Sequence, residues 1–175
     1  MKKITLLILL LLSACAKNEG TSTGNPLVSL RFNNFNALSA PDFGAATVSN
    51  LVLCIKRLRF KPVTGLAENI DLALGETIVT TTGTFVTAAQ VPPGSYFRVE
   101  FDLNTTCASG KSVQLTNSLG TFSSIDTITI RFDGTLNLTA SQGLDLNIQA
   151  IINALNTANS NADIKIKAES VGGSF

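Results

Sequence analysis

The chain has 175 residues, of which thirteen are basic and twelve acidic, and it contains no histidine and no tryptophan. A net charge of +1 gives no electrostatic footprint for nucleic acid. The lack of histidine excludes Ser-His-Asp triads, Cys-His dyads and histidine-ligated metal sites. A low charged fraction with abundant Thr, Val, Ile and Phe favours strands over helices. We therefore expect one β-rich domain with a sizeable core, without a cofactor, a metal or a nucleic-acid partner.

The first fifteen residues, MKKITLLILLLLSAC, have the features of an export signal. Two lysines precede an aliphatic run at 4–12, which is shorter than the roughly 20 apolar residues of a membrane-spanning helix. Residues 12–15, LSAC, resemble the lipobox of bacterial lipoproteins, in which the cysteine is acylated. The resemblance implies a signal peptide at 1–14 and a membrane anchor through lipid at Cys15. The alternative is an ordinary secretory signal that is followed by cysteine.

Residues 15–27 are predicted to be the lipidated Cys15 and a flexible tether. The segment AKNEGTSTGNP is small, polar and glycine-rich, so it cannot bury enough apolar surface to order itself. In lipoproteins with similar leaders, an Asp after the cysteine favours retention in the inner membrane. Ala16 stands at that position, which favours the outer membrane. The expected localisation is the cell envelope, with the domain 28–175 held off the membrane.

Cys54 and Cys107 remain as a pair once Cys15 is assigned to lipid. A disulfide can persist in an exported protein, and one that closes a loop of this length would stabilise it by roughly 3–5 kcal/mol. The alternative is a pair of buried free thiols acting as small hydrophobic side chains. The polar surroundings of Cys107 favour the disulfide.

Alternating apolar and polar residues predict a series of short strands. In the segment 48–60 the apolar parity changes at Lys56-Arg57, which predicts a β-bulge there. The alternative is burial on both faces at the start of this strand and on one face at its end. The predicted strands cover residues 28–32, 48–60, 69–74, 77–91 (as two strands or one with a kink), 96–103, 111–117, 122–132, 136–138, 144–148 and 164–168.

Three further expectations concern the second half of the chain. The strand 96–103 is expected to be central to its sheet, with Phe97 and the alternating apolar residues after it on the core face, and Tyr96 on the opposite face. Asp133-Gly134 predicts a hairpin turn. Apolar spacings of three and four predict one short helix from about 149 to 158, and the glycine-rich end after the last strand is expected to fray.

The sequence VPPGSY contains the most distinctive turn, formed by Pro93, Gly94 and Tyr96. A Tyr just after such a turn often returns its hydroxyl to the backbone, which favours a structural role over ligand binding. The turn is similar to that of transthyretin-like and Cna-B-like sandwiches. Together with VSNLVLCIKRLRF before it and TIRFDG and LDLNI after it, the segment resembles the DUF4382-type domains of bacterial lipoproteins. The resemblance covers most of residues 28–155 and carries no catalytic residue.

The strand spacing predicts an all-β sandwich with one short C-terminal helix after the lipoprotein signal peptide. The resemblance implies that its topology is a Greek key of the immunoglobulin or prealbumin kind. The segment 56–61 holds the main basic cluster, which is expected to be a solvated strand end, the alternative being a site for an anion or lipid headgroup. The carboxylates considered for calcium supply only fragments of a binding loop: Asp102, Asp126, Asp133 and Asp145.

The expected function follows from the leader and from the chemistry that the sequence lacks. We expect a non-catalytic structural or adhesive module of the cell envelope, anchored by lipid at Cys15. The alternative is a binding module whose sandwich loops hold a glycan, a peptide or a metal. An enzyme is disfavoured because no histidine is present. The sequence does not name the protein or glycan partner.

Overall fold

The chain forms mostly β structure, with two helices near its C-terminal end. A computed structural model describes residues 24–36, 48–65, 68–71 and 75–175. Its elements, in chain order, are β1 (Leu27–Phe32), β2 (Asn50–Pro62), β3 (Glu68–Asp71), β4 (Glu76–Ile78), β5 (Thr84–Gln90), β6 (Gly94–Leu103), β7 (Val113–Asn117), β8 (Gly120–Ser124), β9 (Ile128–Leu138), β10 (Gln142–Leu146), α1 (Gln149–Asn156), α2 (Asn161–Ser170) and β11 (Gly173–Ser174).

Two sheets enclose the core. The smaller has the order β10-β1-β5, with β1 parallel to β10 and antiparallel to β5. The larger follows β11-β9-β6-β2-β7-β8, and β3 and β4 also pair with β2. Phe32 of the smaller sheet packs against Phe101 and Phe132 of the larger, with ring centroids 5.8 Å apart in both pairs. All three rings are fully buried, so this aromatic group joins the two sheets.

Strand β2 carries the bulge that the sequence predicts. Its pairing with β6 shifts register between Ile55 and Arg57, where the apolar parity changes. Cys54 and Ile55 are both buried before the shift, whereas Arg57 is half-buried after it. The alternative prediction for this strand is burial on both faces at its start and on one face at its end. The structure has this burial pattern as well as the bulge.

Strand β6 is central to the larger sheet, as predicted, because β2 and β9 flank it. The prediction for its first residues is wrong: Phe97 is 44% exposed and Tyr96 is buried. The pairing with β9 shifts between Tyr96 and Arg98, so the parity reverses there. The hairpin predicted at Asp133-Gly134 is also wrong. These residues lie inside the continuous strand β9, next to that shift, and the strand predicted at 136–138 is its last part.

The predicted helix is confirmed as α1, but the strand predicted at 164–168 is wrong because this segment is helix α2. Ile164 is fully buried while Ile166 is 65% exposed, which fits a helix and contradicts a strand with both on one face. Ser160 caps α2 by accepting from the Asp163 N–H at 3.3 Å. The Asp163 carboxylate in turn accepts from the Asn159 N–H at 3.2 Å, so polar capping decides the structure of this segment.

Helix α2 covers the first part of β9, which β11 leaves unpaired because it pairs only with Phe132 and Asp133. The Thr129 N–H of β9 donates to the Glu169 carboxylate at 3.0 Å, and the Lys165 ammonium donates to the Thr127 carbonyl. Lys165 and Glu169 also pair with each other at 3.2 Å. Their side chains therefore occupy the hydrogen-bonding groups that a neighbouring strand would otherwise use.

The predicted fraying of the C-terminal residues is wrong, because β11 pairs in parallel with β9. A Cβ on Gly173 would lie 2.4 Å from the Phe132 ring, so only glycine allows this approach. Within the described ranges, no helix reaches the length and apolarity that crossing a bilayer requires.

Candidate functional site

The predicted lipid attachment site, Cys15, lies outside the described residues, as does the signal peptide 1–14. Of the predicted tether 15–27, residues 24–27 are described. Pro26 is buried and its carbonyl accepts from the Val91 N–H at 3.0 Å, while Leu27 already belongs to β1. The folded body therefore begins slightly earlier than the predicted boundary at residue 28.

Cys54 and Cys107 form a disulfide between β2 and the loop 104–112, with their Cα atoms 5.8 Å apart. The backbone of Cys54 also holds both ends of that loop. Its carbonyl accepts from the Asn104 N–H at 3.1 Å, and its N–H donates to the Ser112 carbonyl at 2.9 Å. The loop is thus fixed at both ends and near its middle, where β2 changes partner from β6 to β7.

The turn containing Pro93, Gly94 and Tyr96 is stabilised by the tyrosine. The Tyr96 hydroxyl donates to the Pro92 carbonyl at 2.7 Å, which is the backward bond to the backbone that the sequence predicts. Its buried ring packs edge-on against Phe60, with the ring centroids 5.6 Å apart. Pro93 and Gly94 are exposed at the tip of the turn. This arrangement gives the turn a structural role.

A buried carboxylate lies at the centre of the outer face of the larger sheet. Glu100 of β6 is 8% exposed and is surrounded by three cations. Its carboxylate oxygens lie 3.3 Å from Arg59 Nε, 3.8 Å from Lys61 Nζ and 3.7 Å from Arg98 Nη1. The expected solvated strand end is therefore wrong for Arg59 and Lys61, whose charges are paired across the sheet.

Two further carboxylates extend this network. Asp102 accepts from Arg59 Nη2 at 2.5 Å and from the Thr129 hydroxyl at 2.8 Å. Asp133 accepts from Arg98 Nε at 2.6 Å, and this hydrogen bond raises the pKa of Arg98 above its ordinary value. Each cation and each carboxylate in this network is paired with an opposite charge. The network therefore offers neither an unpaired cation to an anion nor an unpaired carboxylate to a metal.

The carboxylates considered for calcium do not converge. Asp102 and Asp133 are held by arginines, and the Asp126 carboxylate accepts from the Ser124 hydroxyl at 3.4 Å. Asp145 lies in the smaller sheet, beside Arg31. In the part of the chain that the structure describes, no group of three or more Cys, Asp or Glu side chains could hold a metal ion.

The structure also forms a polar cavity that the sequence analysis missed. It has a volume of about 460 Å³ and is lined by Arg31, Asn33, Asn34 and Asp145. Parallel pairing of β1 with β10 places Arg31 beside Asp145, and no sequence signal links residues so far apart. Gly83 approaches Asn34 closely, since a Cβ there would lie 2.9 Å from its Oδ1 atom.

Comparison with known proteins gives no further assignment: no family model, no curated protein and no solved structure matches this chain. The resemblance to DUF4382-type domains therefore rests on the short sequence motifs alone.

Proposed function

We propose that this chain is an exported bacterial lipoprotein that carries a non-catalytic structural or adhesive module in the cell envelope. Its body is a Greek-key sandwich of the immunoglobulin or prealbumin kind, related to DUF4382-type domains. Lipid at Cys15 anchors it, with the outer membrane favoured by Ala16. The observation that carries this proposal is the leader, in which a basic start and an aliphatic run end in LSAC.

The disulfide supports the assignment to an exported protein. Bonds of this kind persist in oxidising compartments and are rare in the cytosol of most bacteria. Cys54 is 1% exposed, and the loop 104–112 is built around its bond to Cys107. Pairing of these two cysteines leaves Cys15 as the remaining thiol, which is the one that the leader assigns to lipid.

The charged network supports a non-catalytic role. Catalytic carboxylates are held ready to exchange a proton or to attack a substrate. Glu100, Asp102 and Asp133 are instead held by arginine or lysine side chains. The chain also has no histidine, which is the side chain that most often transfers protons near neutral pH.

A fractionation experiment tests the proposal. Cys15→Ala should move the protein from the membrane fraction to the soluble fraction, because the acyl chains are its anchor. The matched control is the double variant Cys54→Ala/Cys107→Ala, which also loses cysteines but should remain with the membrane. A Cys15→Ala protein that still sediments with lipid would contradict the proposal.

The polar cavity favours a second candidate, a binding module. Arg31, Asn33, Asn34 and Asp145 together offer donors and acceptors suited to a hydroxyl-rich ligand such as a glycan. The cavity lies at the opposite end of β1 from the tether, so it would face away from the membrane. This candidate predicts that an oligosaccharide panel contains a binder whose affinity Asp145→Ala abolishes and Asp126→Ala leaves unchanged. A panel without any binder would reject it.

A further inference from the structure

The end of the sandwich from which the tether leaves is formed by four segments, 24–28, 61–65, 90–96 and 137–143, here called the tether end. Hydrogen bonds join them into one surface. The Leu27 N–H donates to the Ser141 hydroxyl at 2.9 Å, and the Val63 N–H donates to the Ser95 carbonyl at 2.9 Å. The Ser95 hydroxyl donates to the Asn137 side-chain oxygen at 2.8 Å.

The tether end exposes apolar side chains and almost no charge. Val63 is 63% exposed and Leu27 is 44% exposed, and Pro93 is also exposed. Among the described residues of these four segments, Lys61 is the single charged side chain, and its ammonium already pairs with Glu100 at 3.8 Å. The four described segments therefore carry no carboxylate that anionic lipid headgroups would repel, and they have apolar groups that can enter a bilayer interface.

The number of residues between Cys15 and Leu27 limits how far this end can lie from the proposed anchor. Cys15 and Leu27 are separated by twelve peptide units, which span at most about 40 Å when fully extended. For comparison, a random coil of twelve residues has an end-to-end distance of about 20 Å. That distance is comparable to the radius of gyration expected for a body of this size, roughly 15 Å. The high effective concentration created by the anchor allows weak apolar contacts to be populated.

We propose that the tether end rests on the phospholipid surface to which Cys15 is anchored, with Val63, Leu27 and Pro93 in the interfacial region. This arrangement replaces the expectation from the sequence that the tether holds the domain off the membrane. This orientation rests on the proposed lipid anchor. It holds the sandwich in one direction, so that the opposite end projects from the membrane. Because the contact is apolar, high salt leaves it in place.

Labelling at two positions tests the orientation. The full lipidated protein, with its disulfide intact, is reconstituted in vesicles of phosphatidylethanolamine and phosphatidylglycerol, and a fluorophore is attached to Val63→Cys. The matched control is Ile125→Cys, whose side chain is similarly exposed, at 67%. Ile125 precedes β9, and the last residue of that strand, Leu138, belongs to the tether end. The length of β9 therefore separates position 125 from the tether end by roughly 30 Å. Lipids carrying a headgroup-level quencher report which position touches the interface.

The proposal predicts loss of about half of the fluorescence at position 63 and of less than about a tenth at position 125, since interfacial groups lie within roughly 5–10 Å of the headgroups. The difference should persist at high salt. Equal quenching at both positions, or none at either, in protein whose mass shows acylated Cys15 would overturn the orientation and leave the anchor standing. If the mature protein carries no acyl group and does not bind vesicles, both the proposed function and this inference are overturned.

Discussion

Removing the disulfide between Cys54 and Cys107 should destabilise the folded body by about 4 kcal/mol. The two cysteines are 53 residues apart, and the chain-entropy model gives this value for a closed loop of that size at 25 °C. The loss arises mainly because the reduced unfolded chain gains conformational freedom. It is a large share of the 5–15 kcal/mol that stabilises a typical domain.

The assay is urea unfolding of residues 16–175, exported through an ordinary secretory leader. Reduction of the wild-type protein and the variant Cys54→Ala/Cys107→Ala provide two separate measurements. Reduction keeps both sulfur atoms in the buried site, so it controls for the packing that alanine removes. Hydrogen exchange should also accelerate in the loop 104–112 more than in β6, since Cys54 holds that loop. A change below about 1 kcal/mol on reduction, or labelling of free thiols in the unfolded, unreduced protein, would refute the reasoning.

Five other substitutions test the packing of the body by the same unfolding assay. Glu100→Gln should cost about 2 kcal/mol because it removes the buried charge on which three half-buried cations converge, whereas Asp133→Asn, at a side chain that is 47% exposed, should cost less than about 1 kcal/mol; equal costs would contradict a buried network. Tyr96→Phe should cost about 1 kcal/mol through the lost hydrogen bond to the backbone, and no change would show that this bond adds nothing. Ile164→Ala should cost about 2–4 kcal/mol and Ile166→Ala less than about 0.5 kcal/mol, since only the first is buried in the helical arrangement. Similar losses at both positions would favour the strand instead.

The strands can be predicted from the sequence where the alternation of apolar and polar residues agrees with the burial of their side chains. At Lys56-Arg57 the apolar residues change parity, and the structure has a register shift between Ile55 and Arg57. The shift between Tyr96 and Arg98 could not be found in this way, because it depends on how β6 meets β9. Phe97 is apolar yet exposed, so the pattern itself is misleading at that position.

The helix α2 was missed because its residues satisfy two periodicities at once. Ile164, Ile166 and Ala168 alternate with charged residues as in a strand, but Ile164 and Ala168 are also four residues apart, as on one helix face. The capping pair Ser160 and Asp163 was the local signal that favoured a helix. Helix formation also lets Lys165 and Glu169 bond to the edge of β9, which no local pattern reveals.

The candidate sites also differ in how far they could be predicted from the sequence. The turn of Tyr96 could be predicted because its bond to Pro92 is local in sequence. The cysteine pair could be predicted from the count of cysteines and the leader. The cavity at Arg31 and Asp145 depends on pairing between β1 and β10, which lie at opposite ends of the body in sequence.

The mass of the N-terminal peptide of the mature, membrane-extracted protein tests the central claim most directly. The account predicts that the chain begins at Cys15 and that this peptide carries diacylglycerol on the sulfur, with or without a further acyl chain on the amino group. A mature chain that begins elsewhere, or an unmodified Cys15 thiol, would contradict it.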